Sequence, residues 1–352
     1  MIRGIPNIGN TCFLNTGLQI LLQTPELDFK EEEEQEEVSE KHLWNAWKKW
    51  KKQHSSNTTD TFDFREFQIF FQTIQYIAEK KGHTLFSGYV QNDLSEFFLF
   101  FMDTLHEYFK RPRNMNIEGV VQNETDQLAK ECYQMMQETY KNEYSEIMDT
   151  FYGISISTIY NTEKGYKKMS SKPESFFLLD LPIPSVLSQS QLSLSIYSCF
   201  NHYISPEYME NGWIDEKTKQ TKSVYKNITF WNFPKILVIS LQRFQTNYSD
   251  QTNYSGQEVH ISKKMELVDF PIENLDLSKY VVGYHARKYI YDLYGVVNHI
   301  GDVHGGHYTA FVQGQGQSQW YHCNDHIIEL VQDPRQIITP MAYVLFYRIR
   351  PS

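Results

Sequence analysis

The feature that most limits the fold of this chain is a change in hydrophobic period near residue 150. Ahead of it, apolar residues recur at helical spacing. In CFLNTGLQILLQ (12–23), Leu14, Leu18, Leu21 and Leu22 fall on one face, with Cys12 at the start and Pro25 closing the helix. KHLWNAWKKWKKQH (41–54) places Leu43, Trp47 and Trp50 at i, i+4 and i+7 between lysines. That pattern reads as a surface helix with its tryptophans turned to a core, or as a basic amphipathic helix that touches a membrane or partner. Phe64 to Ile77 is a further helix, and Leu94, Phe97, Phe98, Phe101, Met102 and Leu105 make one stripe within 92–109. Residues 125–149 read as helical, less clearly. After residue 150 the period shortens to two. FYGISISTIY, SFFLLDLPIP, KILVISLQRF, YDLYGVVNHIG, HYTAFVQ, QWYHCND and AYVLFYRI are β-branched or aromatic runs. Most are separated by Gly, Asn, Ser or Asp clusters, and no βαβ alternation appears. The class is therefore α+β: an α-rich first half packed on an antiparallel sheet in the C-terminal half.

Composition narrows the function. The 352 residues carry 43 acidic and 33 basic side chains, a net charge of −10, which argues against a protein that coats nucleic acid. Hydrophobic residues make up 41% and aromatics 15%, as in a globular domain and unlike a disordered one. No apolar run approaches the ~18 residues of a membrane span, and MIRGIPNIGN has no apolar stretch after Arg3 that would make a signal peptide. Four cysteines (Cys12, Cys132, Cys199, Cys323) without a CxxC pair exclude a disulfide scaffold and a Cys-rich zinc site, and point to a reducing compartment. The run EEEEQEE (31–37) reads as a solvated loop or a docking patch for a basic partner. QTNYSDQTNYSG (245–256) repeats a six-residue unit twice and reads as a polar loop lengthened by duplication.

Cys12 is the residue with the most chemical promise. A thiol at a helix N-terminus meets the positive end of the dipole and free N–H groups, which favour thiolate. Asn7, Gly9 and Asn10 precede it in a loop able to aim donors at an oxyanion. A cysteine nucleophile needs a base, and the base needs an acceptor that orients it. Among the 12 histidines, His307 has the best context: it follows Gly305 and Gly306 at the start of an apolar strand. The glycines permit close approach of a substrate backbone. Asn324 and Asp325 lie on the next strand or its end, and a hairpin would bring either beside His307 to fix its tautomer. Cysteine first and histidine far downstream is the papain-like order, and alone it is weak evidence.

The motifs together are specific. GIPNIGNTCFLNTGLQ (4–19) resembles the Cys box of the ubiquitin-specific proteases, a papain-like deubiquitinase family, and YDLYGVVNHIGDVHGGHYTAF (291–311) resembles its His box. QNDLSEFFLFFMDTLHE (91–107), KILVISLQRF, QWYHCNDHIIEL and AYVLFYRI are similar to family segments in the same order, spanning residues 4 to 349. The resemblance implies one catalytic domain over 1–352 with a papain-like fold: a thumb at about 1–149, fingers at about 150–235 and a palm at about 236–352. It implies Cys12 as nucleophile, His307 as base and Asn324 as the third member, with Asp325 sharing or assisting that role. It implies Asn7 as an oxyanion-hole amide, and Asp93 and Glu96 as acids that meet arginines of the ubiquitin tail. Taken by residues alone, those two acids read as a solvated helix face. Gln91, His299, His304, Gly305, Gly306 and Tyr308 would border the tail channel, with 245–258 as a second bordering loop. The reaction implied is hydrolysis of the (iso)peptide bond after the C-terminal glycine of ubiquitin, without metal or cofactor. The expected setting is a monomer acting on ubiquitin and ubiquitinated proteins in cytoplasm or nucleus, with no nucleic acid or membrane. The chain departs from many relatives in lacking the two CxxC pairs of a zinc-bearing fingers tip, so a Cys₄ site cannot form and packing must hold the fingers. Gln242 and Asn92 replace usual family residues away from the triad. Almost nothing extends beyond the matched segments, so regulatory domains are not expected.

Overall fold

Each helix of the first 110 residues forms where the sequence supplies an apolar stripe. In the computed structural model, which describes residues 2–30, 39–56, 62, 64–83, 86, 88–162, 165–185, 194–214, 219–248, 259–285, 288–302 and 305–351, these are Cys12–Leu22, Ser39–Ser56, Phe64–Lys80 and Leu94–Phe109. The acidic run 31–37 and most of the duplicated 245–256 segment lie outside the described residues. Leu94–Phe109 starts sharply because the Asp93 carboxylate caps it, accepting from the N–H groups of Ser95 and Glu96. Ser39–Ser56 buries Leu43, Trp44, Trp47 and Trp50, which decides the ambiguity in that segment: its tryptophans are core. Lys48 and Lys51 lie over the rings of Trp44 and Trp47 at 5.5 and 5.8 Å, covering apolar faces with their stems. Among the described residues no helix is long and apolar enough to cross a membrane.

The contacts divide the chain into two units. The first comprises Met1–Lys110, Ile239–Val268 and Leu293–Phe346. The strands that lie wholly or mostly in it pair in the order Ile327–Val331, Trp320–Asn324, Gly306–Gln313, Ile290–Gly301, Ala342–Ile349, Ile236–Gln242. Successive hairpins pair antiparallel, with His299 opposite Tyr308, Ala310 opposite Cys323 and Asn324 opposite Ile327. The Cys12–Leu22 helix packs against Gly306–Gln313 and Leu94–Phe109. Ten of its eleven residues are buried, polar Asn15, Thr16 and Gln19 included. A helix this buried on all sides is an axle of the core, more enclosed than the one-faced amphipathic helix its leucines suggest.

The second unit comprises Arg111–Val238, Asp269–Asp292 and Tyr347–Ser352. Four antiparallel strands run in the order Lys168–Phe176, Gly153–Asn161, Thr221–Asn232, Glu207–Ile214. Helix Glu124–Glu143 lays Ala129 and Cys132 against Ile154, Ile156 and Trp231. It stops at Tyr144 because the backbone there exchanges hydrogen bonds with Arg111, so the expected 125–149 helix is two helices, the second being Glu146–Phe151. The class is α+β, as the change of period requires, but the units interleave segments from both halves of the sequence.

Candidate active site

Cys12, His307, Asn324 and Asp325 all lie in the first unit. His307 sits at the start of the Gly306–Gln313 strand, and the adjoining hairpin brings Asn324 beside it. Its ring Nε2 lies 2.7 Å from Asn324 Oδ1. An amide oxygen only accepts, so Nε2 carries the proton and Nδ1 is the basic nitrogen. Cys12 opens the buried helix, with its sulfur accepting from the backbone N–H of Tyr308, the residue after His307. One strand thus brings the base and the nucleophile's neighbour to the same place.

The resting thiol departs from the expectation of an activated thiolate. Burial pushes the Cys12 thiol up from its ordinary value, and the negative charge of Asp325 adds to this. The N–H groups of Tyr308, Phe13 and Cys12 itself pull the other way and do not prevail. Among the described residues no hydrogen bond joins Cys12 to His307. The helix terminus supplies the stabilisation the sequence suggested, but desolvation exceeds it. Alkylation of Cys12 by iodoacetamide in the ligand-free protein should therefore rise through a midpoint above that of an ordinary cysteine, followed on the Cys12 peptide by mass spectrometry. A rate already at its plateau in mild acid would contradict this. Cys132 and Cys323 would not compete, since burial pushes both up to about 12.

Asp325 has a different neighbourhood from Asn324. It occupies the tight turn into Ile327–Val331 at φ 50°, a left-handed conformation that short polar residues tolerate. Its Oδ2 accepts from Asn7 Nδ2 at 3.1 Å, and its Oδ1 from Asn15 Nδ2 at 2.8 Å. Its backbone oxygen accepts from Ile5 N–H at 2.9 Å. Gly4 lies against the same turn, where a Cβ would come within 2.2 Å of His326 O. Asn7 Oδ1 gathers the N–H groups of Gly9 and Thr11 at 3.0 and 3.2 Å. The loop before Cys12 is thus folded around the Asn7 amide, with one N–H of its exposed Nδ2 given to Asp325 and the other left to solvent. Asn10 is turned away, donating to Tyr89 O at 2.8 Å.

A cavity of about 350 Å³ opens beside Cys12, walled by Gln91, Asp93, His299, Gly305, Gly306 and Tyr308, among others. The Gln91 amide grips the Gly306 backbone, accepting from its N–H at 3.2 Å and donating to its carbonyl at 3.3 Å. Gly306 cannot carry a side chain, since a Cβ would meet His299 Nε2 at 2.2 Å. Asp93 is the N-cap, one position ahead of the helix. Its Oδ2 accepts from the hydroxyls of Tyr308 and Tyr343 at 2.9 and 3.0 Å. Burial and the Asp93 charge push the Tyr308 hydroxyl well up, so it stays a donor. Glu96 is exposed; desolvation, then the Asp93 charge, raises its carboxyl. His304 lies outside the described residues. Tyr343, Asn15 and Lys263 also belong to this neighbourhood and were not singled out from sequence. Asn15 carried a signal, an amide one helical turn after Cys12 among the helix's apolar residues. Tyr343 and Lys263 carried none, because their partners are remote in sequence. Among the described residues no cluster of His, Cys, Asp and Glu could hold a metal ion.

Known proteins share this arrangement of chain. The human protein named ubiquitin carboxyl-terminal hydrolase 21 is 30% identical over 370 residues, covering 98% of this chain and 61% of that protein. The Drosophila melanogaster protein named ubiquitin carboxyl-terminal hydrolase Usp2 is 29% identical over 354 residues, covering 98% of this chain and 34% of that protein. The chain thus spans from about a third to three fifths of the length of these curated relatives. Its fold matches a solved structure, the SAGA Ubp8/Sgf11/Sus1/Sgf73 DUB module bound to ubiquitin aldehyde, with a TM-score of 0.69 at 20% identity, over 99% of this chain and 70% of that one. A further solved structure, of the Ubp8-Sgf11-Sgf73-Sus1 SAGA DUB module, gives a TM-score of 0.67 at 21% identity, over 99% of this chain and 68% of that one. Residues 3–347 match the family described as ubiquitin carboxyl-terminal hydrolase, and the chain belongs to that family.

Proposed function

We propose that the protein is a deubiquitinating cysteine hydrolase that cleaves the (iso)peptide bond after the C-terminal glycine of ubiquitin. One observation carries most weight: the His307–Asn324 hydrogen bond sits on the strand whose next N–H reaches Cys12 Sγ, beside a cavity walled by Gly305 and Gly306. Two glycines in the wall let a chain pass close by, which suits a diglycine tail with no side chains to place.

In this reading His307 Nδ1 takes the Cys12 thiol proton as sulfur attacks the glycine carbonyl carbon. Because burial raises the resting thiol, the base His307 is needed to take its proton. The oxyanion is met by the free N–H of Asn7 Nδ2 and by backbone N–H at the helix start. The C–N bond then breaks, and His307 returns the proton to the leaving lysine amine. Water, deprotonated by His307, attacks the thioester and releases the carboxylate and the thiol. Asn324 orients the imidazole. We assign Asp325 a separate role: it holds Asn7 rather than His307, which its hydrogen bonds support.

The acids at Asp93 and Glu96 remain part of the proposal as the anionic border for the arginines of the ubiquitin tail. Glu96 is the freer of the two, because Asp93 already serves the helix cap and two tyrosines. The proposed setting is a reducing compartment, in keeping with four buried cysteines outside any disulfide.

The test is release of a fluorophore from a ubiquitin C-terminal amide. Steady turnover is expected, and its absence under reducing conditions would refute the activity. On the same substrate Asn7→Ala should lower kcat by about 10²–10³-fold, the loss of one oxyanion donor. Asp325→Ala should lower it by about 10–100-fold through misplacement of Asn7. The double variant should lose little more than Asn7→Ala, because both act through one amide. Fully additive losses would separate the two residues.

A further inference from the structure

The strand Ile290–Gly301 runs past its neighbour near the cavity. His299 N–H donates to Met341 O, so His299 O and, two residues on, Gly301 O point to that same side. The neighbouring strand Ala342–Ile349 begins there, and among the described residues both carbonyls are met by a side chain instead. Lys263, the last residue of the strand Val259–Lys263, fills that place. Its Nζ donates to His299 O at 2.7 Å and Gly301 O at 2.9 Å, and lies 2.9 Å from His299 Nδ1. An ammonium has three N–H groups, and all three are used. His299 Nδ1 must then accept, which fixes the Nε2–H tautomer. The ring so held lies on Gly306, where a Cβ would come within 2.2 Å of Nε2, and packs on Tyr308 at 4.7 Å between centroids.

We propose that Lys263 is a positioning residue for the reaction: by clamping the His299 ring and two strand carbonyls, it sets the Gly306–Tyr308 backbone that carries His307 and borders Cys12. This deepens the deubiquitinase reading and rests on it. The clamp makes a prediction that packing alone does not. His299 is 5% exposed and held down to about 4, by burial first and the Lys263 charge second, while Asp93 and Asp302 act in the opposite sense. Tyr308, Tyr343 and Phe244 complete its surroundings, and the charge of buried Arg243 acts on Lys263. Removing the Lys263 cation must raise the His299 value. The neutral ring that supports Gly306 is then lost at a higher pH than in the wild type.

Lys263→Met keeps the stem and removes the cation. On the ubiquitin C-terminal amide it should lower kcat/KM by about 10–100-fold, the scale of a small misplacement of reacting groups. It should also bring an acid limb absent from the wild type over the same pH range. His299→Gln in the Lys263→Met background should abolish that limb, since an amide does not titrate, and Lys263→Arg should restore most of the rate. The His299 titration itself is read by NMR on ¹³C-labelled histidine. A wild-type rate and pH profile in Lys263→Met would overturn the proposal, as would a lowered Tm with the His299 titration unmoved. Should Lys263→Met not fold, Lys263→Gln takes its place in the same titration: a His299 midpoint unmoved from the wild type would refute the clamp, and one raised above it supports the clamp. A wild type that titrates as expected but does not cleave ubiquitin amide would sink the functional reading and leave the Lys263–His299 contact standing.

Discussion

Cys12→Ala should lower kcat on a ubiquitin C-terminal amide by about 10⁶-fold, to background, as removal of the nucleophile does in hydrolases of this kind. The residue is 5% exposed at the head of a buried helix, so loss of its sulfur costs about 1 kcal/mol of packing. The variant should therefore stay folded, with a Tm within a few degrees of the wild type. Among the described residues the sulfur accepts hydrogen bonds from backbone N–H groups, so its removal unties no described side chain. Ubiquitin binding should persist and is measured by titration calorimetry. Residual turnover well above background would mean that another group attacks the carbonyl.

His307→Ala should be nearly as severe, about 10⁵–10⁶-fold in kcat, because the Cys12 thiol is raised above its ordinary value and its attack depends on proton transfer to His307. Raising the pH should rescue His307→Ala in part, as hydroxide takes over deprotonation of a thiol that titrates above its ordinary value. Asn324→Ala should cost less, at most about 10⁴-fold, the scale seen when a histidine is left in the wrong tautomer. The order His307 over Asn324 over Asp325 is specific to this geometry. Asn324 touches the imidazole directly, whereas Asp325 faces away to Asn7 and Asn15. Steady-state kinetics on the three variants at one pH settles the order. A loss in Asp325→Ala equal to that in His307→Ala would reassign the third member.

Much of the fold was legible because it follows from local pattern. The stripes of Leu94–Phe109 and Phe64–Lys80 and the alternation of Gly153–Asn161 are properties of neighbouring residues. The strands Lys168–Phe176 and Glu207–Ile214 were missed because they are edge strands of a sheet with little buried face, so their side chains show no apolar alternation. Helix Ile196–Tyr203 was hidden by its eight-residue length, although its Ser195–Ser198 capping box was there to be read. The interleaving of segments into two units is a matter of long-range contact, which periodicity does not report.

The candidate site divides the same way. The residues Cys12, His307 and Asn324 could be chosen from local context and motif order. Which of Asn324 and Asp325 faces the imidazole depends on which face of a hairpin end each side chain takes, and a turn at φ 50° decides that. The raised thiol was misjudged because helix-terminal position is visible in sequence and burial is not. Lys263 was invisible for a third reason: its partners are two carbonyls and a ring nitrogen on a strand 36 residues away.

The most direct measurement is capture by ubiquitin carrying a thiol-reactive group in place of its C-terminal carboxylate. Incubated with the folded wild type, the probe should form a one-to-one covalent adduct, mapped to Cys12 by peptide mass spectrometry and absent from Cys12→Ala. An adduct at Cys132, Cys199 or Cys323, or none at all from a protein that binds ubiquitin, would contradict the assignment of Cys12 as the ubiquitin-directed nucleophile.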